Sequence, residues 1–246
     1  DYYLNGTGKD GEAGGGEPAG RWFGAGARDI GLSGSVMPHA LHGLMQGYDP
    51  RTFDPKAKDN AGLVDTPGSG RRSGWDCCFV CPKSVSVAFA LETPANREVL
   101  RQTFHAAVNA ALARLERDAL TRRGHAGKDA EPVEGIVAAV FEHGTARVPD
   151  MKDRRGLEHI AHLLDGTADP HLHAHAIVSN VCLRKDGTWG SLVNDSLFRD
   201  QKLLGAIFRA ELARGLHERL GYAIREGVSD TFELAGLDPK ILDHFS

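Results

Sequence analysis

"DPHLHAHAIVSNVCL", residues Asp169–Leu183, is the stretch whose reading decides the fold. It has strand length, carries β-branched residues and opens on histidines at every second position, His171, His173 and His175. Side chains two apart on a strand share a face and stand roughly 6 to 7 Å apart at Cα. Two neighbouring imidazoles can therefore converge on one ion at metal–nitrogen distances of about 2.0 to 2.1 Å. The outer pair is separated by roughly 13 Å along the strand, so three in succession do not. The geometry predicts two adjacent ligands here and a third from a neighbouring strand.

"GIVAAVFEH", Gly135–His143, reads as the strand that pairs antiparallel with this one and brings His143 to the same region. His159 and His162, on the segment between the two strands, are rival donors at helical spacing. The remaining histidines, His39, His42, His105, His125, His217 and His244, read as surface or hydrogen-bonded residues. All-histidine ligation would leave an ion its full charge and make it a Lewis acid for a phosphate or carbonyl oxygen.

Away from this pair of strands the chain alternates short strands with amphipathic helices. "MPHALHGLMQG" reads as a helix stopped at Gly47, and "WDCCFV", Trp75–Val80, as a strand ended by Pro82. Ser84 is a candidate N-cap for a helix through "VSVAFAL", where β-branched residues make a strand nearly as favourable. Thr93 and Pro94 open the clearest helix, with Leu100, Phe104, Val108, Leu112, Leu115 and Leu120 on one stripe and an expected end at Gly124. A last helix over 196–220 carries Leu204, Phe208, Leu212 and Leu216 on one face, and Asp186-Gly187 marks a hairpin turn before it. Hairpin-linked strands with two long helices give an α+β fold, a central antiparallel β-sheet with helices packed against it on one face.

The chain of 246 residues, 41% apolar and 25% charged, is long enough for a sizeable core, and we expect a single domain over 1–246. Glycine-rich residues 1–20 read as a flexible N-terminal strap, and 151–168 as an inserted segment. No apolar run approaches the roughly 20 residues of a membrane span. The first residues lack signal-peptide features, so a cytoplasmic monomer without membrane insertion is expected. Four cysteines, three of them in "CCFVC", form neither a disulfide framework nor a second CxxC pair, and read as small buried strand residues. A net charge of −4 argues against indiscriminate coating of nucleic acid, yet leaves room for local basic clusters at 70–72, 121–123 and 152–155. No GxxxxGK[ST] or GxGxxG follows a strand, so a nucleotide-binding parallel sheet lacks its usual signature.

Taken in order, "RWFGAGARDIGLSGSV", "RRSGWDCCFVCPKSVSVAFAL", "FEHGTARV", "DPHLHAHAIVSN" and "SLFRDQKLLGAIFRAELARGLHERLGY" resemble successive blocks of a conjugative relaxase of the TrwC/TraI (MobF) type, within the HUH endonuclease superfamily. The resemblance spans nearly the whole chain and implies a relaxase palm-like sheet. It also implies nicking and rejoining of one DNA strand at an origin of transfer, through a covalent 5′-phosphotyrosyl intermediate. A rolling-circle replication initiator with the same chemistry and a zinc-dependent small-molecule hydrolase are the alternatives.

Carried over residue by residue, the resemblance implies a metal triad of His143, His173 and His175, and gives His171 no ligand role. Asp76, in "SGWD", matches the family's acidic residue beside the site, with a solvent-exposed turn aspartate as the plain alternative. Tyr2 and Tyr3 are the nucleophile candidates. They match either the first or a second tyrosine pair of the family, and in the latter case the principal nicking tyrosine lies upstream. Arg72, Lys83 and Arg147 are candidate DNA phosphate contacts. The implied cofactor is one divalent ion, Mg²⁺ or Mn²⁺ with Zn²⁺ or Ni²⁺ as alternatives. The implied partners are single-stranded DNA at the nic site with its adjacent hairpin, and a fused or associated helicase with the transfer machinery.

Overall fold

The computed structural model of the protein describes residues 19–123, 129–146, 169–193, 198–228, 230–238, 240 and 242. In chain order its elements are β1 (Arg21–Phe23), α1 (Ala25–Asp29), α2 (Pro38–Gln46), β2 (Gly74–Val80), α3 (Lys83–Leu91), α4 (Pro94–Asp118), β3 (Leu120–Arg123), β4 (Asp129–Pro132), β5 (Gly135–Thr145), β6 (Pro170–Leu183), β7 (Trp189–Gly190), α5 (Gln201–Leu220), β8 (Ile224–Glu226) and β9 (Phe232–Leu234). The main sheet runs β1-β5-β6-β2 with β7 folded back on β6, and every pairing in it is antiparallel. The opening stretch is thus its central strand. The segment 151–168 lies outside the described residues, as do residues 1–18 of the N-terminal strap.

Alternation along β6 sorts its side chains between two different surfaces. Leu172, Ala174, Ala176 and Val178 are fully buried in the main core with Leu100, Phe104 and Leu112 of α4 and Phe208, Leu212 and Leu216 of α5. Each such leucine or phenylalanine contributes about 1.5 to 3 kcal/mol by leaving water. The two long helices lie close enough that a Cβ on Gly215 would stand 2.5 Å from Cγ2 of Thr103. Phe104 meets Phe208 edge-on, with ring centroids 5.9 Å apart.

The opposite face is not bare, which corrects the expectation of a sheet covered on one side. Ala27 of α1 and Leu41 and Leu44 of α2 bury Val137, Ala139, Ile177 and Val181. These two short helices cover only part of the face, and the histidines occupy the remainder.

Three local readings also change. The residue capping α3 is Pro82, and Ser84 inside the helix instead accepts the backbone N–H of Leu234 at 2.8 Å. Thr93 does cap α4, its hydroxyl accepting from Asn96 N at 3.3 Å, but the helix ends at Asp118. Leu120 belongs to β3, where Thr121 is fully buried and donates to the carbonyl of Ser191 at 2.9 Å. Tertiary hydrogen bonds here outweigh a helical pattern that would run on. Of the four free cysteines, Cys81 and Cys182 are buried and Cys77 partly so, whereas Cys78 is exposed.

Candidate functional site

The register of the three strands brings the site together. His143 on β5 lies directly opposite His173 on β6, and His175 lies opposite Cys78 on β2, two residue pairs from Asp76↔Ile177 and on the same face as Asp76. All these side chains project from the face that α1 and α2 leave uncovered, because their sequence neighbours face the main core. A bulge between His143 and Thr145 ends the regular pairing just beyond the cluster.

Ring centroids stand 5.1 Å apart for His143 and His173, 5.6 Å for His143 and His175, and 5.2 Å for His173 and His175. Three imidazoles around one tetrahedral ion at about 2.0 to 2.1 Å place their centroids roughly 5 Å apart, so the spacing suits such an ion. Among the described residues no trio already holds finished ligating geometry. The rings of His143 and His173 lie stacked, with 24° between their planes.

Hydrogen bonds set which nitrogen each imidazole offers. The Asp76 carboxylate accepts from Nδ1 of His175, at 2.8 Å to Oδ2 and 3.0 Å to Oδ1. The His171 carbonyl accepts from Nδ1 of His173 at 2.8 Å. Both acceptors lack a proton to give, so Nδ1 carries the hydrogen and Nε2 the lone pair in each neutral ring. Burial, with the other imidazoles nearby, holds the pKa of His173 below its ordinary value and favours the neutral, donor form. The donor set therefore fits a divalent cation.

His171 stands at the rim, its ring 4.6 Å from that of His173. Burial and then the charge of Lys83 lower its pKa, which places Lys83 within electrostatic reach of the cluster. Arg72 sits further along the same edge, its guanidinium 6.0 Å from the centre of the Trp75 ring. Tyr2, Tyr3, Arg147, His159 and His162 lie outside the described residues. The two described tyrosines are engaged elsewhere: Tyr48 stacks on Phe53, and the Tyr222 hydroxyl donates to Glu92.

A cleft of about 1290 Å³ wraps the free edge of β2 and reaches the site at Asp76. Trp75 and Phe198 give it stacking surfaces, while Lys202 and Arg209 of α5 give it positive charge. The reading of α5 as a core helix missed these two cations. They fall on its outward side, and an isolated Lys or Arg on a helix carries no signal until the neighbouring strand edge is known.

Fold and site together define an α+β antiparallel-sheet domain with a histidine cluster on the sheet face that α1 and α2 cover only in part. Residues 1–246 match the model of the family described as TrwC relaxase, and the chain belongs to that family. The multifunctional conjugation protein TraI of Escherichia coli K12 is 30% identical over 213 residues, which cover 82% of this chain and 10% of that protein. The chain thus spans about a tenth of the length of the curated relatives it matches. A metal-bound structure of the conjugative relaxase TrwC in complex with oriT DNA is similar at TM-score 0.71 and 29% identity, over 92% of this chain and 69% of that one. TrwC with a 27-mer DNA comprising the recognition hairpin and the cleavage site aligns at TM-score 0.70 and 30% identity, over 92% of this chain and 71% of that one. No described helix is long and apolar enough to cross a membrane.

Proposed function

We propose that this chain is the nicking and strand-transfer domain of a conjugative relaxase, which cuts one DNA strand at an origin of transfer and later rejoins it. The observation that carries the reading is the set of three imidazoles from two adjacent strands, with Asp76 holding one of them in its donor tautomer. Membership in the TrwC relaxase family supports it, as do the similar structures with oriT DNA.

His143, His173 and His175 would hold one divalent ion, Mg²⁺ or Mn²⁺, with Zn²⁺ or Ni²⁺ as the alternatives. Such an ion supplies Lewis-acid offset of charge on phosphoryl oxygens. Asp76 fixes His175 and stands near enough to the site to help take the phenolic proton. Tyr2 or Tyr3 is the proposed nucleophile. Its phenolic oxygen forms a bond to the scissile phosphorus, the 3′-oxygen leaves with a proton, and the 5′-phosphate stays on the tyrosine until a 3′-hydroxyl reverses the step. Lys83, Arg72 and Arg147 are the proposed phosphate contacts near the reacting strand. The cleft along β2 suits a single strand passing Trp75, Phe198, Lys202 and Arg209.

The proposed substrate is single-stranded DNA at the nic site with its hairpin, and the proposed setting is the bacterial cytoplasm. A helicase, fused or associated, would unwind the strand. Incubation with a labelled origin oligonucleotide and Mn²⁺ tests the reading. A covalent protein–DNA adduct that disappears in His173→Ala is expected. Absence of any adduct across origin sequences, with intact metal binding, overturns it. An adduct that survives Tyr2→Phe with Tyr3→Phe would move the nucleophile elsewhere and leave the rest standing.

A further inference from the structure

Leu172, fully buried between His171 and His173, is the point where β6 changes its hydrogen-bond partner. The register of β2 on β6 ends at Val80↔His173, and its next pair would be Cys81 with Leu172, exchanging two backbone hydrogen bonds. Only half of that exchange is made. Cys81 N donates to the Leu172 carbonyl at 3.0 Å, but Leu172 N donates to the side chain of Ser86, 3.0 Å from its Oγ. The reason lies in the next residue, since Pro82 caps α3 and turns the chain out of the sheet. Ser86, in the first turn of α3 and 1% exposed, supplies the acceptor that the strand no longer offers. Its own hydrogen points back along the helix to the Pro82 carbonyl, at a long 3.4 Å, which leaves its lone pairs to the amide. Water has no access here, so without this hydroxyl the Leu172 N–H would be buried and unmet.

The peptide group that carries the Leu172 N–H also carries the His171 carbonyl. It is trans, so the two point to opposite sides of the strand. That carbonyl accepts from Nδ1 of His173 at 2.8 Å. One peptide plane is thus held by Ser86 on one side and holds His173 on the other. Hydrogen bonds in series polarise one another, and a fixed N–H also fixes the direction of the carbonyl across the plane.

We propose that Ser86 is a positioning residue for His173. Through the peptide between His171 and Leu172 it aims the carbonyl that keeps the hydrogen of His173 on Nδ1 and the lone pair on Nε2. The importance of this for metal binding rests on the reading of His173 as a ligand. Ser84 provides the contrast on the same helix. It is equally buried, but its hydroxyl accepts from Leu234 N at 2.8 Å, and its N–H donates to Glu233 Oε2 at 3.1 Å. Ser84 therefore ties α3 to β9, whereas Ser86 ties it to the histidine strand.

Long-range ¹H–¹⁵N spectra of the full chain without metal, at pH 8 where neutral imidazoles prevail, report the tautomer of each ring. Wild type should carry the His173 hydrogen on Nδ1, and Ser86→Ala should show a mixture of both tautomers. Titration with Mn²⁺ should show an affinity about 10-fold lower in Ser86→Ala, the lower end of the loss when a ligand's partner is removed. Ser84→Ala, which removes a comparable buried hydrogen bond, should change neither readout. If Ser86→Ala fails to fold, Ser86→Cys puts a weaker acceptor in the same place and should shift both readouts in the same direction. An unchanged His173 tautomer overturns the proposal whatever the affinity does. So does an equal change in Ser84→Ala, which would mean a general loosening of α3. A tautomer change with unaltered Mn²⁺ affinity would instead count against His173 as a ligand and leave the positioning role of Ser86 standing.

Discussion

The Asp76 carboxylate on the edge strand β2 grips Nδ1 of His175 on the central strand, 2.8 Å from Oδ2. The contact crosses between strands and fixes both the tautomer and the tilt of a candidate ligand. Asp76→Ala should weaken divalent-metal binding by about 10- to 100-fold, the usual cost of losing such a partner. Isothermal titration with Mn²⁺ reads it directly, and an unchanged affinity would remove Asp76 from the site.

His171 separates the run of histidines from the cluster itself. Its side chain touches the His173 ring, but only its backbone carbonyl holds His173 Nδ1. His171→Gln should therefore keep metal binding close to wild type. His143→Ala, His173→Ala and His175→Ala should each abolish it at micromolar metal. Equal losses in all four variants would mean a different ligand set.

Glu142, next to His143 on β5 but turned to the opposite face of the sheet, offers a pH signature of folding. Its side chain is only 5% exposed, between Arg101 Nε at 2.9 Å and His105 Nε2 at 2.6 Å. Burial alone would raise its pKa, but hydrogen bonds from His105 and Arg101 outweigh that and hold the carboxyl below its ordinary value. A carboxyl depressed in the folded state adds stability above its unfolded pKa, about 4.3. That stability is lost as pH falls through the folded value. Urea unfolding between neutral and acid pH should show this loss, and Glu142→Gln should flatten the acid limb. Parallel limbs in both proteins would contradict the assignment.

Lys202 and Arg209 line the cleft on the β2 edge. If a single strand lies there, replacing both by Ala should reduce the salt dependence of binding by about 1.4 in slope, at roughly 0.7 per phosphate contact. Fluorescence anisotropy at several salt concentrations measures it. A parallel drop in affinity with no slope change would point to lost packing instead.

Gly24 sits at φ +113°, and a Cβ there would lie 2.1 Å from the Ile136 carbonyl oxygen. The position joins β1 to α1 against the start of β5, and Glu116 clamps the same junction by accepting from Ala25 N at 2.7 Å and Ile136 N at 3.0 Å. Gly24→Ala should cost about 1 to 3 kcal/mol for the backbone strain alone, with the clash added to it. Chemical denaturation gives the number, and a loss below half a kcal/mol would show that the junction relaxes freely.

The sequence by itself determined the strands around His143 and His173, the capped helix opening at Thr93, the helix stop at Gly221 and the α+β class, because periodicity and capping are local. Order-preserved blocks such as "SGWD" and "FEHGTAR" also carried the family. Tertiary structure alone decided the rest. Helix α4 stops at Asp118 because Thr121 finds a partner on a distant loop. The histidines lie on the part of the sheet that α1 and α2 do not cover. Asp76 meets His175, 99 residues later, only through the register of β2 on β6. Such pairings join groups far apart in the chain, and no local pattern records which face, which register or which neighbour a side chain will find.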